Sequence, residues 1–414
     1  MIPRLGPRAG FREFAAAFLP AGEGQVAAFE REFAAAMGSA RAVAFPYGRT
    51  ALLVLLEALG IAGREVIVPS YTCVVVAHAV VASGNEPVFV DCEPGGFNMD
   101  LRAASRAVTP ETAAILPTSL YGHPPDLDDL DAFRAEHPQV RVIQDCALSY
   151  DASLQGRPVH REGDAAIFSC NAGKILFSIF GGLVVTDDPT LADRLVQTRG
   201  RRLSEPGPAK SLRRRAYLAA SLAAFHPSVY GAVHALSRSG LLDRFVKYFD
   251  GEVIDMPADH LEGLTAVEAR VGRMQLRAYD ANIAERRAMA AYYARELEGL
   301  PGLVLPPYDV GATWSHYVIR VQDRERLIEH AAAHGVELGV LFPYAVPGLG
   351  AYRGRPGCRG AYPEAESLAG TVVNLPLSAG LRGASRTASL VKAFFQKRVA
   401  GGGGGRKVVL GGAT

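Results

Sequence analysis

The chain has 414 residues, more than one compact core usually holds, so a large domain and a smaller one are expected. Hydrophobic residues make up 49% and charged residues 21%, the net charge is +2, and Arg and Lys are dispersed apart from one cluster, which argues against a nucleic-acid binder. The five cysteines (Cys73, Cys92, Cys146, Cys170 and Cys358) are odd in number and lack metal-ligand spacing, so reduced thiols in a cytoplasm are expected and a zinc site is not.

In chain order, the N-terminus carries arginines but no uninterrupted apolar core, so no signal peptide is read there. Short β-rich runs then alternate with helix-spaced segments. The strands are expected at Ala42–Phe45, Glu65–Pro69, Pro87–Asp91, Ala113–Pro117, Val140–Asp145, Ala165–Ser169 and Leu183–Thr186, with helices such as Thr50–Leu59 and Thr72–Ser83 between them. This alternation predicts an α/β fold with a mostly parallel seven-stranded sheet covered on both faces. Ligands of such sheets sit at the carboxyl ends of the strands, where Asp145 and Ser169 fall.

From about 201 to 255 runs a basic, apolar insertion. Ser211-Leu212-Arg213-Arg214-Arg215 precedes 21 uncharged residues, Ala216–Leu236, and the amphipathic Leu241–Phe249 follows. His226-Pro227 and Gly231 interrupt any membrane span. The segment reads as a helical hairpin packed on the body or at a dimer interface, with peripheral membrane contact through 211–249 as the alternative. Beyond it, Thr265–Leu297 predicts one long helix, His316–Val321 a strand, Arg324–His334 a helix and Ala384–Val399 a last helix. The expected division is a large domain over 1–260, a small α/β domain over 261–400 and a flexible glycine-rich tail over 401–414.

The chemistry is carried by an ordered set of residues. Lys174 follows the strand Ala165–Ser169 and precedes Gly181-Gly182 and another apolar run. Asp145 ends an earlier strand. Tyr47-Gly48-Arg49-Thr50 joins a strand to a helix start, where backbone N–H groups bind phosphate. A lysine amine, a strand-end carboxylate and a phosphate loop are the parts that pyridoxal 5′-phosphate (PLP) needs: Lys174 as the Schiff-base amine, Asp145 as partner of the ring nitrogen, and Thr50 and Ser169 as further phosphate ligands. Singly, each residue has a duller reading: Asp145 as a cap, Ser169 as a turn residue, Lys174 as a solvated loop lysine, Gly48-Arg49-Thr50 as an ordinary helix start. Their order along the chain favours the joint reading.

From about Gly22 to Phe395 the chain resembles the DegT/StrS group of PLP-dependent aminotransferases. Val43–Leu52 is similar to that family's Ser-Gly-Thr-x-Ala-Leu segment, Gln144-Asp145-Cys146-Ala147 to its Glu-Asp-Ala-Ala, and Ser169–Lys174 to its Ser-Phe-His-x-x-Lys. Tyr362-Pro363-Glu364-Ala365-Glu366 and Asn374-Leu375-Pro376 match later motifs. The resemblance implies fold type I architecture, a homodimer, and transfer of an amino group, commonly from glutamate, to a keto-sugar nucleotide or related keto or aldehyde acceptor. It also places Gly48, Arg49, Thr50, Cys73, Ala147, Ser169 and Asn171 at the cofactor. The chain departs from the family where an aromatic side chain becomes Cys73, a Gln or His becomes Leu148, the motif His becomes Asn171, and an Asn-x-Arg element becomes Leu261-Glu262-Gly263. Arg49 brings a cation to the phosphate loop in place of the missing one. Two other functions stay open at this point: a PLP reaction such as decarboxylation or condensation on a non-sugar substrate, and a non-catalytic PLP-fold protein acting in sensing or at a membrane surface.

Overall fold

A computed structural model describes residues 1–6, 9–19, 22–239, 251–307 and 309–401. The strands are β1 (Arg41–Phe45), β2 (Glu65–Pro69), β3 (Glu86–Val90), β4 (Thr112–Ile115), β5 (Arg141–Asp145), β6 (Ser153–Leu154), β7 (Arg157–Pro158), β8 (Ala165–Ser169) and β9 (Gly182–Thr186), then β10 (Leu303–Val304), β11 (Tyr317–Val321) and β12 (Val372–Leu375). Seven of them form one sheet in the order β1-β9-β8-β5-β4-β2-β3. These seven are the predicted strands, shifted at their ends by no more than two residues.

Within this sheet only β9 runs against its neighbours, pairing antiparallel with both β1 and β8. The chain returns from β8 to β9 through a loop with no crossover helix, and a direct return of this kind reverses direction. That reversal brings the first residue of β9, Gly182, to the same sheet edge as the last residues of β1 and β8.

Period-two alternation decides which side chains face which layer. Val66 and Val68 of β2 pack with Leu52, Leu55 and Leu56 of the helix Gly48–Ala58. Ile67 between them points to the other face, against Leu130 and Phe133 of the helix Leu127–Glu136. A second, three-stranded antiparallel sheet (β10-β11-β12) is packed with Met289, Tyr293, Trp314 and Phe395.

The predicted helix Thr265–Leu297 is two helices, Ala266–Arg277 and Tyr279–Leu297. At Ala278 the backbone leaves the helical range (φ −102°, ψ 6°). The two halves serve different cores: Ala269 packs with Phe29 and Phe33 beside the large sheet, whereas Met289, Tyr293 and Leu297 pack on the small one. Helix propensity through Arg277-Ala278-Tyr279 cannot register a change of packing partner.

The insertion forms the helices Pro208–Ala224 and Tyr230–Arg238, broken around His226-Pro227. Among the described residues no helix is long and apolar enough to cross a membrane. The predicted amphipathic Leu241–Phe249 lies outside the described residues, as does the tail beyond Gly401, the last residue of the helix Gly380–Gly401.

Candidate active site

The carboxyl ends of β5 and β8 open into a cleft of about 770 Å³. Because β5 and β8 are parallel, with Asp145 in register with Ile167, Asp145 and Ser169 come out on the same edge. Asp145 is 2% exposed. Its Oδ1 accepts from the Ala147 N–H at 3.0 Å, and its Oδ2 accepts a long bond from the Thr118 hydroxyl at 3.5 Å. Burial raises its pKa against the pull of the Ala147 N–H, the Lys174 charge and Thr118.

Lys174 lies in the loop between β8 and β9 and lines the cleft with Asp145. Its side chain keeps some surface open, but the amine is closely ringed by protein. Burial therefore lowers its pKa below the ordinary lysine value, opposed by Cys73, Asp145 and Cys170. The loop is held from within: the Lys174 N–H donates to the Asn171 carbonyl at 3.0 Å, and Asn171 Oδ1 accepts from the Gly173 N–H at 3.0 Å.

The helix Gly48–Ala58 begins at the same edge. Its N-cap is Tyr47, with no side-chain cap, and its first backbone bond runs from the Ala51 N–H to the Tyr47 carbonyl at 3.0 Å. The amides of the first turn thus precede the ladder, as at any helix start. Two glycines let this helix end press against the sheet. A Cβ on Gly182 would lie 2.5 Å from both the Gly48 nitrogen and the Tyr47 carbonyl oxygen, and one on Gly48 would lie 3.0 Å from the Ser169 Cβ.

Of the nine predicted site residues, Gly48, Arg49, Cys73, Asp145, Ala147, Ser169, Asn171 and Lys174 all line the cleft. Thr50 does not: it is fully buried, and its hydroxyl donates to the His260 carbonyl at 3.0 Å. The rotation of about 100° per helical residue turns it away from the edge that Gly48 and Arg49 share. Arg49 donates to the Asp255 carbonyl at 3.3 Å while lining the cleft.

Sequence reasoning missed several neighbours. Thr118 and Phe342 line the cleft. Phe342 arrives from the C-terminal part, and its carbonyl accepts from the buried Tyr71 hydroxyl at 3.1 Å. Tyr47 is held from outside the cleft, where its hydroxyl donates to Asp259 at 2.6 Å and accepts from Arg214 at 2.9 Å. The segment that departs from the Asn-x-Arg element is clamped within the chain, since Lys210 donates to the Glu262 and Gly263 carbonyls at 2.6 and 3.1 Å. No local signal marks these contacts, because each joins distant parts of the chain.

The donor set suits an anionic, ring-bearing aldehyde. A helix start without a side-chain cap suits a phosphate, a buried carboxylate held by neutral donors suits a protonated ring nitrogen, and an amine whose pKa burial lowers suits an aldehyde carbon. Among the described residues no group of three or more His, Cys, Asp or Glu side chains is placed to hold a metal ion.

Known proteins resemble this chain over most of its length. The protein of Saccharopolyspora erythraea called erythromycin biosynthesis sensory transduction protein EryC1 is 34% identical over 354 residues, 84% of each chain. The dTDP-3-amino-3,4,6-trideoxy-alpha-D-glucose transaminase of Streptomyces venezuelae is 32% identical over 353 residues, 84% of this chain and 81% of that one. Among solved structures, S. venezuelae DesV in complex with a ketimine intermediate superposes with a TM-score of 0.72 at 29% identity, covering 93% of this chain and 95% of the other. A family profile matches residues 17–220 and 229–391, nearly the whole folded chain, and by that match the protein belongs to the DegT/DnrJ/EryC1/StrS aminotransferase family.

Proposed function

We propose that this aminotransferase binds PLP in the cleft between Lys174 and the start of the helix Gly48–Ala58, and moves an amino group from an amino acid, glutamate foremost, to a keto-sugar nucleotide. The observation that carries the reading is the meeting of a buried carboxylate, a depressed lysine amine and an uncapped helix start on one sheet edge. The acceptor class rests on the relatives' names, which include transaminases of dTDP- and UDP-linked sugars.

When bound, PLP supplies an aldehyde for amines and a ring that takes up the electron pair left by a departing proton. The remaining work falls to the chain. Lys174 Nζ, its pKa lowered by burial, holds the cofactor and moves the proton. Asp145 keeps the ring nitrogen protonated, with Ala147 and Thr118 fixing its carboxylate. Gly48, Arg49 and Ser169 bind the phosphate, with Gly182 leaving room for the helix end. Asn171 braces the lysine loop, and Cys73 and Leu148 give the cleft its apolar wall. In this reading residues 1–260 carry the cofactor together with the helix Ala266–Arg277 packed on them, and the rest of 261–400 forms a smaller unit that reaches the cleft through Phe342.

A homodimer suits the surface. The helices Phe11–Phe18 and Pro208–Ala224 lie side by side and expose Phe11 (81%) and Leu212 (65%). Sedimentation of the wild type and a Leu212→Glu variant tests this, while liposome flotation tests the membrane alternative. A cytoplasmic location suits five free thiols, three of them buried.

The deciding experiment is borohydride reduction of the PLP-loaded protein followed by peptide mapping, with glutamate and a dTDP-linked keto sugar then supplied to the unreduced enzyme. A tag on Lys174 and an aminated nucleotide sugar are expected. A tag elsewhere, or no amination, overturns the assignment.

A further inference from the structure

Lys174 also lines a second, smaller pocket beside the first. This one is cationic. Arg4, Arg286 and His316 face it, and no Asp or Glu among the described residues does. Arg4 precedes the family match, which begins at residue 17.

The N-terminal segment is built into the fold. The Ile2 N–H donates to the Gly335 carbonyl at 2.9 Å, and the Glu337 N–H donates to the Ile2 carbonyl at 2.9 Å. The Arg4 N–H donates to Glu337 Oε2 at 2.8 Å, and the Ser378 hydroxyl donates to the Pro3 carbonyl at 3.3 Å. Gly339 leaves room for the guanidinium, because a Cβ there would lie 3.0 Å from Arg4 Nε. Arg4 is thus delivered to the cavity by several backbone bonds. Its Nε and Nη1 are nonetheless buried with no hydrogen-bond partner among the described residues.

Arg286 adds positive charge to the cavity and His316 adds a second buried nitrogen. Arg286 donates to neutral acceptors, Asn282 Oδ1 at 3.0 Å and the Ser315 carbonyl at 2.8 Å. His316 Nδ1 lies 3.1 Å from the Ser315 hydroxyl, and its Nε2 is buried without a partner. The ring is neutral: burial first, then the charges of Arg286, Arg4 and Lys174, hold its pKa well below the ordinary value. In the tautomer in which the Ser315 hydroxyl donates to Nδ1, Nε2 carries the proton and offers it to the cavity. Buried guanidinium donors left unmade are costly, and a forked carboxylate is the ligand that matches them best.

We propose that Arg4, Arg286 and His316 form the seat for a carboxylate of the amino-acid donor, setting the donor's amine beside Lys174. This deepens the transamination reading and rests on it for the identity of the ligand. A phosphate of the nucleotide substrate has related chemistry, so the test separates the two.

Trp314 is the single tryptophan of the chain and lies two residues before His316, edge-on to His123 at 4.6 Å. Its fluorescence can be titrated with glutarate, a dicarboxylate without an amine, and separately with dTDP. The proteins are the full-length, cofactor-loaded wild type, Arg4→Gln and Arg4→Lys, each checked for an unchanged melting temperature. Saturable glutarate binding is expected in the wild type, weakened about 10–100-fold in Arg4→Gln and partly restored in Arg4→Lys. The KM for glutamate should rise by the same factor, and dTDP binding should not change. Wild-type affinity for glutarate in Arg4→Gln, no saturable glutarate response at all, or a larger loss for dTDP than for glutarate would each overturn the assignment. Glutarate binding needs no imine, so failure to tag Lys174 would sink the cofactor reading without mimicking these outcomes.

Discussion

Around Arg214, just outside the cleft, every buried charge has a partner. Its Nε donates to Glu268 at 2.6 Å and its Nη2 donates to Asp259 at 2.8 Å and to the Tyr47 hydroxyl at 2.9 Å, while the guanidinium lies 4.6 Å from the Phe180 ring centre. Lys210 joins the group through Asp259 at 3.7 Å, so two cations face two carboxylates. On the other side of Tyr47, Asp145 and Lys174 share a cleft, and among the described residues neither takes part in an ion pair. Burial works against all of these groups. It is outweighed at Arg214, whose pKa rises through Glu268, Tyr47 and Asp259, and at Asp259. It prevails at Glu268 and Lys210 despite their partners, and at Asp145 and Lys174, which have no ion pair among the described residues. Compensated charge holds a fold together, whereas uncompensated charge in a cleft waits for a ligand.

Substitution should separate the two clusters. The largest effect is expected at Lys174→Ala, which should abolish borohydride tagging and reduce transamination to background. Next, Arg214→Ala should cost about 3–5 kcal/mol in urea unfolding, because it strands Glu268, which is fully buried. Arg214→Met should cost less than Arg214→Ala, since its side chain fills more of the space.

Asp145→Asn should divide its effects. Turnover should fall about 10²–10³-fold, the scale of losing one preorganised electrostatic contact. The cofactor-free protein should be no less stable than wild type near neutral pH. The sign follows from linkage: with a raised folded-state pKa the native protein holds this proton more tightly than the unfolded chain. Its contribution is then full below the unfolded value of about 3.9 and is lost as pH rises through the folded value. The Asn variant should lack that slope, and a loss of several kcal/mol in the variant would contradict it.

A smaller effect is expected on the rate of PLP attachment. Burial lowers the Lys174 pKa, so the acid limb of the attachment rate should lie below the ordinary lysine value of about 10.4. It should move lower still in Asp145→Asn, which removes a carboxylate that favours the ammonium form. The smallest effect is the control: breaking the exposed pair Arg41–Asp193, 3.6 Å apart, should change stability by less than about 1 kcal/mol.

Much of this was legible in the sequence where the signal was local. Glu65–Pro69 and Ala165–Ser169 appear as read because β-branched and apolar runs bounded by turns leave few alternatives. Asp145, Ser169 and Lys174 could be placed together because strand ends of a parallel sheet share an edge. Propensity misread Ala278, since the bend there depends on which core each half-helix meets. The helix-start reading put the Thr50 hydroxyl at the cofactor, whereas it donates to the His260 carbonyl.

The sequence by itself determined the order of strands and helices, the sheet edge where chemistry gathers, and the lysine and carboxylate displayed there, because each is set by residues a few positions apart. Only the tertiary structure decided that Arg4 meets Glu337 and a cavity beside Lys174, that Arg214 lies buried against Tyr47, Asp259 and Glu268 rather than in solvent, and that β9 turns back to set Gly182 beneath Gly48. Pairing of distant charges depends on where whole elements come to rest, and no periodicity along the chain records that.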